Sequence, residues 1–192
     1  MRTINTIKML MALVVVVGLT FVSCKKDNNT KPVVPVKLED VNGNFSGKLA
    51  LTQGTTKSES TIALSAKNNT ISIVDLPVTE IVFSVVKDKV KAQEVINKLG
   101  KVKYDVSYTA KVNGSKTAVD LTFAPKAIEL QFPVDNANKK VVVNVVAKQA
   151  GTYTGKTKAL KFGLTVDKVT VDGTAVAPFE AIFYDFQSLV KK

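Results

Sequence analysis

The feature that most restricts this chain is a two-residue rhythm of apolar and polar side chains, repeated segment after segment. Tyr104, Val106, Tyr108, Ala110 and Val112 alternate with Asp105, Ser107, Thr109 and Lys111. Successive side chains on a strand point to opposite faces, so this alternation predicts a strand with one buried face. Asn113-Gly114 follows directly, which predicts a tight hairpin into a return strand carrying Val119, Leu121 and Phe123. The same rhythm runs through Phe45, Leu49 and Leu51, then through Ile62, Leu64 and Ala66, with an Asn68-Asn69 turn before Ile71 and Ile73. It returns in Ile128, Leu130 and Phe132, in the valine-rich run 141–146, and in Leu160, Phe162, Leu164 and Val166. Asp172-Gly173 marks another tight turn, and 179–186 reads as a last strand, with a helix as the alternative. So many half-buried strands with short turns predict a mainly β (α+β) domain, an antiparallel curved sheet or a barrel.

One segment breaks the rhythm. From Pro77 to Gly100 the apolar residues Ile81, Val82, Val85 and Val86, then Val90, Val95, Ile96 and Leu99, fall at helical spacing. Pro77 suits a helix start, Thr79 is a candidate cap, and Gly100 is a natural stop. One helical segment is expected, as a bent helix or two short ones, with a strand over 80–86 as the alternative. Its apolar stripe needs covering, and the nearest apolar surface is the concave side of the sheet. The helix should therefore dock there and leave a packed core, with Leu49, Leu51, Ile62, Leu64, Tyr104, Tyr108, Leu121, Phe123, Leu130, Phe132, Leu160 and Phe162 facing in.

The first residues have a different logic. Arg2 and Lys8 precede an apolar run from Met9 to Phe21. The run is short for a membrane span, which takes about 20 apolar residues, and fits the core of a secretory signal. Phe21-Val22-Ser23-Cys24 then resembles a bacterial lipobox, with Phe21 where leucine is usual. The resemblance implies diacylglycerol on Cys24, which would become the mature N-terminus. A lone cysteine in an exported chain forms no internal disulfide, and lipidation gives it a role. The stretch after Cys24, rich in Lys and Asn and carrying Pro32 and Pro35, reads as a tether. The expected organisation is a signal over 1–23, lipidated Cys24 and tether over 24–40, and one domain over 41–192.

Composition removes several function classes. The 192 residues include no histidine and no tryptophan, and Arg2 is the only arginine. Histidine-based nucleophile activation, histidine-containing zinc sites and bidentate arginine clamps on phosphate or guanine are therefore closed to the domain. The formal charge of +11 rests on scattered lysines without interleaved aromatics, so no nucleic-acid partner is expected. Carboxylates remain as candidate catalytic groups. Asp105, Asp120 and Glu129 fall at outward positions and read as the wet face of a sheet. Asp167 and Asp172 lack the spacing of a calcium loop. No enzyme activity, metal or cofactor is expected.

A hexapeptide echo completes the inventory. "GNFSGK" at 43–48 recurs as "GTYTGK" at 151–156, each with glycine, an aromatic, a hydroxyl residue, glycine and lysine in order. Two strands sharing a glycine bend account for it, and a phosphate loop does not, because the spacing is wrong and no helix follows. With the lipobox, tether and length, this strand resembles the opening strand of small β-rich lipoprotein families of Bacteroidota, catalogued as domains of unknown function and in part calycin-like. That resemblance implies an outer-membrane lipoprotein, exposed at the cell surface and held through its N-terminal lipid. The expected role is a binding or structural accessory module for an envelope protein or glycan. The alternative is a carrier of a small apolar ligand in a calycin-like barrel.

Overall fold

The computed structural model describes residues 34–135 and 137–192. The signal segment, Cys24 and the tether up to residue 33 lie outside the described residues. The body considered below is the unit Val33–Lys192. Among the described residues, its hydrophobic core runs from Val36 to Leu189.

The strands are β1 (Gly43–Gln53), β2 (Thr56–Lys67), β3 (Thr70–Ile73), β4 (Tyr104–Val112), β5 (Ala118–Ala124) and β6 (Ile128–Val134). They continue as β7 (Ala137–Val146), β8 (Gly151–Thr154), β9 (Ala159–Val171), β10 (Thr174–Ala175) and β11 (Ile182–Lys191). Helices α1 (Thr79–Val86) and α2 (Lys89–Leu99) lie between β3 and β4. Strands β11, β1, β2, β3, β4, β5, β8 and β9 follow one another around the wall, and β9 pairs back onto β11. Every pairing is antiparallel, so the expected curved sheet is a closed eight-stranded barrel. β9 runs on past Val166, its last partner in β11; along its opposite edge it pairs with β7 from Thr165 to Val171, β7 carries β6 as an outer strand, and β10 folds back on the end of β9.

The inward parity is as the alternation predicts: all twelve candidate interior residues are buried. Large rings fill the interior. Phe162 and Phe186 stack with centroids 4.1 Å apart, Phe123 lies 5.0 Å from Phe162, and Tyr108 meets Phe123 edge-on at 6.1 Å. The repeated hexapeptides open β1 and form β8, and their aromatic residues meet: Phe45 and Tyr153 are edge-to-face at 6.2 Å. The glycines serve close approach. At Gly47 the β1–β11 register shifts, and a Cβ would sit 3.0 Å from the Leu189 backbone. At Gly151 a Cβ would sit 2.6 Å from the Phe123 ring.

One open alternative is decided, and two local expectations are corrected. The helical segment is two helices, because Lys87 adopts a left-handed conformation (φ 60°) that ends α1, and the Asp88 carboxylate then accepts from the Val90 and Lys91 amides to start α2. Thr79 is the first residue of α1 rather than its cap. Val78 holds that place, with no side-chain cap bond. The Asn113-Gly114 hairpin exists, but its turn is wider than two residues. The Asn113 carboxamide oxygen accepts from the Thr117 and Ala118 amides, and the positive φ falls on Lys116 at 55°. Asp172-Gly173 does make the tight turn between β9 and β10, with φ of 47° and 85°.

The helices close one end of the barrel. Ile81, Val82 and Val85 are buried in the common core, as the apolar stripe requires. The Tyr184 hydroxyl donates to the Pro77 carbonyl at 2.8 Å, and Gln53 donates to the Ser84 hydroxyl at 3.0 Å. At the other end a 3-10 turn, Leu38–Val41, lays Val41 over the core. The Val36 amide beside it donates to the Lys116 carbonyl at 3.0 Å.

Candidate functional site: an opening in the barrel wall

The wall is incomplete beside β2. This strand pairs with β1 along its whole length, but with β3 only over Leu64–Lys67. Among the described residues, the other edge of β2 from Thr56 to Ala63 has no strand partner. The cause lies in the residues after β3. The Leu76 amide donates to the Val102 carbonyl at 2.8 Å, which draws the chain along the approach to β4 and away from β2. Pro77, which has no amide hydrogen to offer a ladder, then leads into α1. The segment that plugs the barrel end is thereby taken out of the wall.

A groove of about 720 Å³ occupies the opening. Thr61, Ala63 and Ser65 of β2 lie along it, with Asn44 and Lys192 at one end and Val74, Asp75, Pro77 and Lys101 at the other. Val74 is 58% exposed, one of the few large apolar side chains left in solvent. Ser58 and Ser60 share the inward parity of Ile62 and Leu64 but are exposed. An unpaired strand edge presents alternate amide and carbonyl groups, so the groove combines an apolar lining with hydrogen-bonding backbone.

The carboxylates considered as catalytic candidates do not converge. Asp120 faces Lys111 across the β4–β5 pair, which puts Asp105 six positions further along β4. At about 3.3 Å per residue that is roughly 20 Å, well beyond an acid–base pair. Glu129 lies on β6, which pairs with β7 and not with β5, and it holds Lys140 at 2.9 Å. A hydrogen bond from Ser72, then the Lys103 ammonium 3.0 Å away, keep Asp105 below the ordinary carboxylate range. Lys139, then the Lys140 amide, do the same for Asp172. Asp167 accepts from the Asn144 amide group at 2.7 Å. All five acids are exposed, and Asp105, Glu129, Asp167 and Asp172 have local partners. Among the described residues, no cluster of acids or cysteine has the geometry to hold a metal ion.

The described body thus has a barrel wall that is open beside β2, an interior filled with side chains, and a groove of about 720 Å³ at the opening. A family described as Domain of unknown function (DUF4840) matches residues 40–171, more than half of the chain. The chain belongs to the DUF4840 family. No curated protein and no solved structure matches the chain. The DUF4840 match ends at Val171, before the strand β11 that joins β1 to β9.

The groove was not among the sequence expectations, although a signal for it exists. The inward stripe Leu64, Ile62 breaks into Ser60 and Ser58 within an unbroken strand. Serine at inward parity marks the place where the wall stops covering the interior.

Proposed function

We propose that this DUF4840 domain is a binding barrel for a small amphipathic ligand, held in the groove beside β2. The observation that carries the reading is the unpaired edge Thr56–Ala63, flanked by a groove of about 720 Å³ within the usual range of ligand sites. Closure into eight strands is the architecture of the carrier alternative and favours it over a flat accessory module. The stacked Phe123, Phe162 and Phe186 occupy the lumen, so the ligand belongs in the wall rather than inside. Ala63, Val74 and Pro77 would take its apolar body, and Lys101 or Lys192 an anionic end. The role is binding rather than catalysis, which the separation of Asp105, Asp120 and Glu129 supports. Lipidation of Cys24 would hold the barrel at the outer membrane, where the ligand or an envelope glycan is met.

The chain lacks tryptophan, so Val74→Trp installs a single indole at the groove. Titrating the unit Val33–Lys192 with anilinonaphthalene sulfonate, an apolar body with an anionic end, should shift the indole emission to saturation at one site. Ala63→Glu should abolish probe binding. Equal binding by that variant would remove the groove from consideration, and binding increased by Leu121→Ala would move the ligand into the lumen. The anchor has its own test. Cells fed an alkyne fatty acid should label the wild-type chain and not Cys24→Ala, and persistent label would assign the lipid elsewhere.

A further inference from the structure

Outside the groove, the strongest unassigned feature is the charge at the barrel end where Val34 enters. Backbone hydrogen bonds join the turns there into a ring. The Val36 amide donates to Lys116, the Gly155 amide to Thr117, the Lys191 amide to Lys158, and the Lys192 amide to Asn44. Asn44 pairs with Ser65, two residues before the turn that follows Lys67. This ring carries Lys37, Lys67, Lys116, Lys156, Lys158 and Lys192, all exposed. None of the six forms an ion pair among the described residues. The carboxylates beside them are Glu39 and Asp40, and Asp40 already accepts from the Lys37 amide at 2.8 Å. A recess of about 380 Å³ opens within the ring, lined by Lys158, Lys191 and Lys192 and also by Asp40, whose backbone carbonyl accepts from the Lys191 ammonium at 2.9 Å. The helix end differs: Asp88 and Glu94 interleave with Lys89, Lys91 and Lys98.

We infer that this lysine ring docks on an anionic phospholipid surface, with a headgroup phosphate in the recess. Two observations select this partner. The charge is unpaired and distributed around a rim, which suits a planar array of phosphates. It also lies at the end of the body where Val34, the first described residue, sits against the recess. Lysine is a compact charge suited to phosphate at short range, and each lysine near an anionic membrane contributes about a fivefold gain in partition. The inference does not rest on the groove; Lys192 lines both the recess and the groove, so the test leaves it unchanged. It also does not need lipid on Cys24, because the unlipidated unit should itself bind.

The test uses the unit Val33–Lys192 and sedimentation with vesicles. It should bind vesicles of equal parts phosphatidylglycerol and phosphatidylcholine, should not bind phosphatidylcholine alone, and should release as salt is raised. Lys37→Glu, Lys67→Glu and Lys156→Glu together should weaken binding by about 100-fold or more. The matched reversal at the helix end, Lys89→Glu, Lys91→Glu and Lys98→Glu, changes net charge equally and should weaken it by less than about tenfold. Urea midpoints of both variants establish that the fold is kept. Failure to bind the anionic vesicles, equal binding to phosphatidylcholine, or an equal loss in the helix-end variant would each overturn the assignment.

Discussion

Tyr184 shows how one side chain links wall, plug and pH. It is 2% exposed, and its hydroxyl donates to the Pro77 carbonyl just before α1. Burial, and then the charge of Glu80, push its phenol pKa up. Burial also pushes Tyr104 up to about 12, against a smaller opposing effect from its bond to the Lys126 carbonyl. For both groups the folded pKa lies above the ordinary 10.0, so the unfolded chain loses the proton first. Their contribution to stability is complete below pH 10. It falls as pH rises from 10 to about 12 for Tyr104, and beyond that for Tyr184. Tyr184→Phe removes the donor to a part-buried carbonyl, so it should cost about 1 kcal/mol near neutral pH. It should also make the alkaline loss shallower, because one of the four tyrosines with a raised pKa, Tyr104, Tyr108, Tyr153 and Tyr184, no longer titrates. Urea unfolding from neutral pH up to about pH 11 measures both effects. An alkaline slope as steep as wild type would mean that Tyr184 does not carry the linkage.

At the scale of elements, the strands were legible because their cause is local. Phe45, Leu49 and Leu51, or Tyr104 through Val112, show their burial in the spacing alone, and the register then follows from keeping one face inside. The helices were legible as a change of period, and Gly100 as their stop. Their division was less so, because it depends on Lys87, a residue with no particular preference for positive φ, being followed by an aspartate able to cap. The turn at Asn113 was misjudged for a similar reason. The same side chain that favours a tight turn can instead hold a wider loop through its carboxamide. The groove was hardest to read, since it arises from where β3 ends. Four residues of β3 pair with β2 before Leu76 turns toward Val102, a long-range choice that no local rhythm encodes. Only Ser58 and Ser60 leave a trace of it. The echo of "GNFSGK" and "GTYTGK" had a meaning that is purely tertiary. Strands distant in sequence bring Phe45 and Tyr153 together at one end of the core.

For the whole molecule, closure depends on the last strand. β11 bridges β1 on one side and β9 on the other, and it lies beyond the region that the family match covers. It also buries Ile182, Tyr184, Phe186 and Leu189, with Phe186 stacked on Phe162. Burial of such side chains contributes about 1.5–3 kcal/mol each, so the four together approach the roughly 5–15 kcal/mol by which a domain is stable. Without β11, the β1 and β9 edges would both be unpaired and the Phe162 face open to water, a geometry prone to edge-to-edge association. A chain ending at Val171 should therefore be expressed as an unfolded or aggregated species, without a cooperative urea transition and with collapsed amide proton dispersion. Co-expression of residues 172–192 as a separate segment should restore part of the folded signal, because β11 pairs through backbone ladders that do not need the covalent link. A truncated chain that unfolds cooperatively and disperses like the full unit would show that the family-matched region is self-sufficient and that closure by β11 is dispensable.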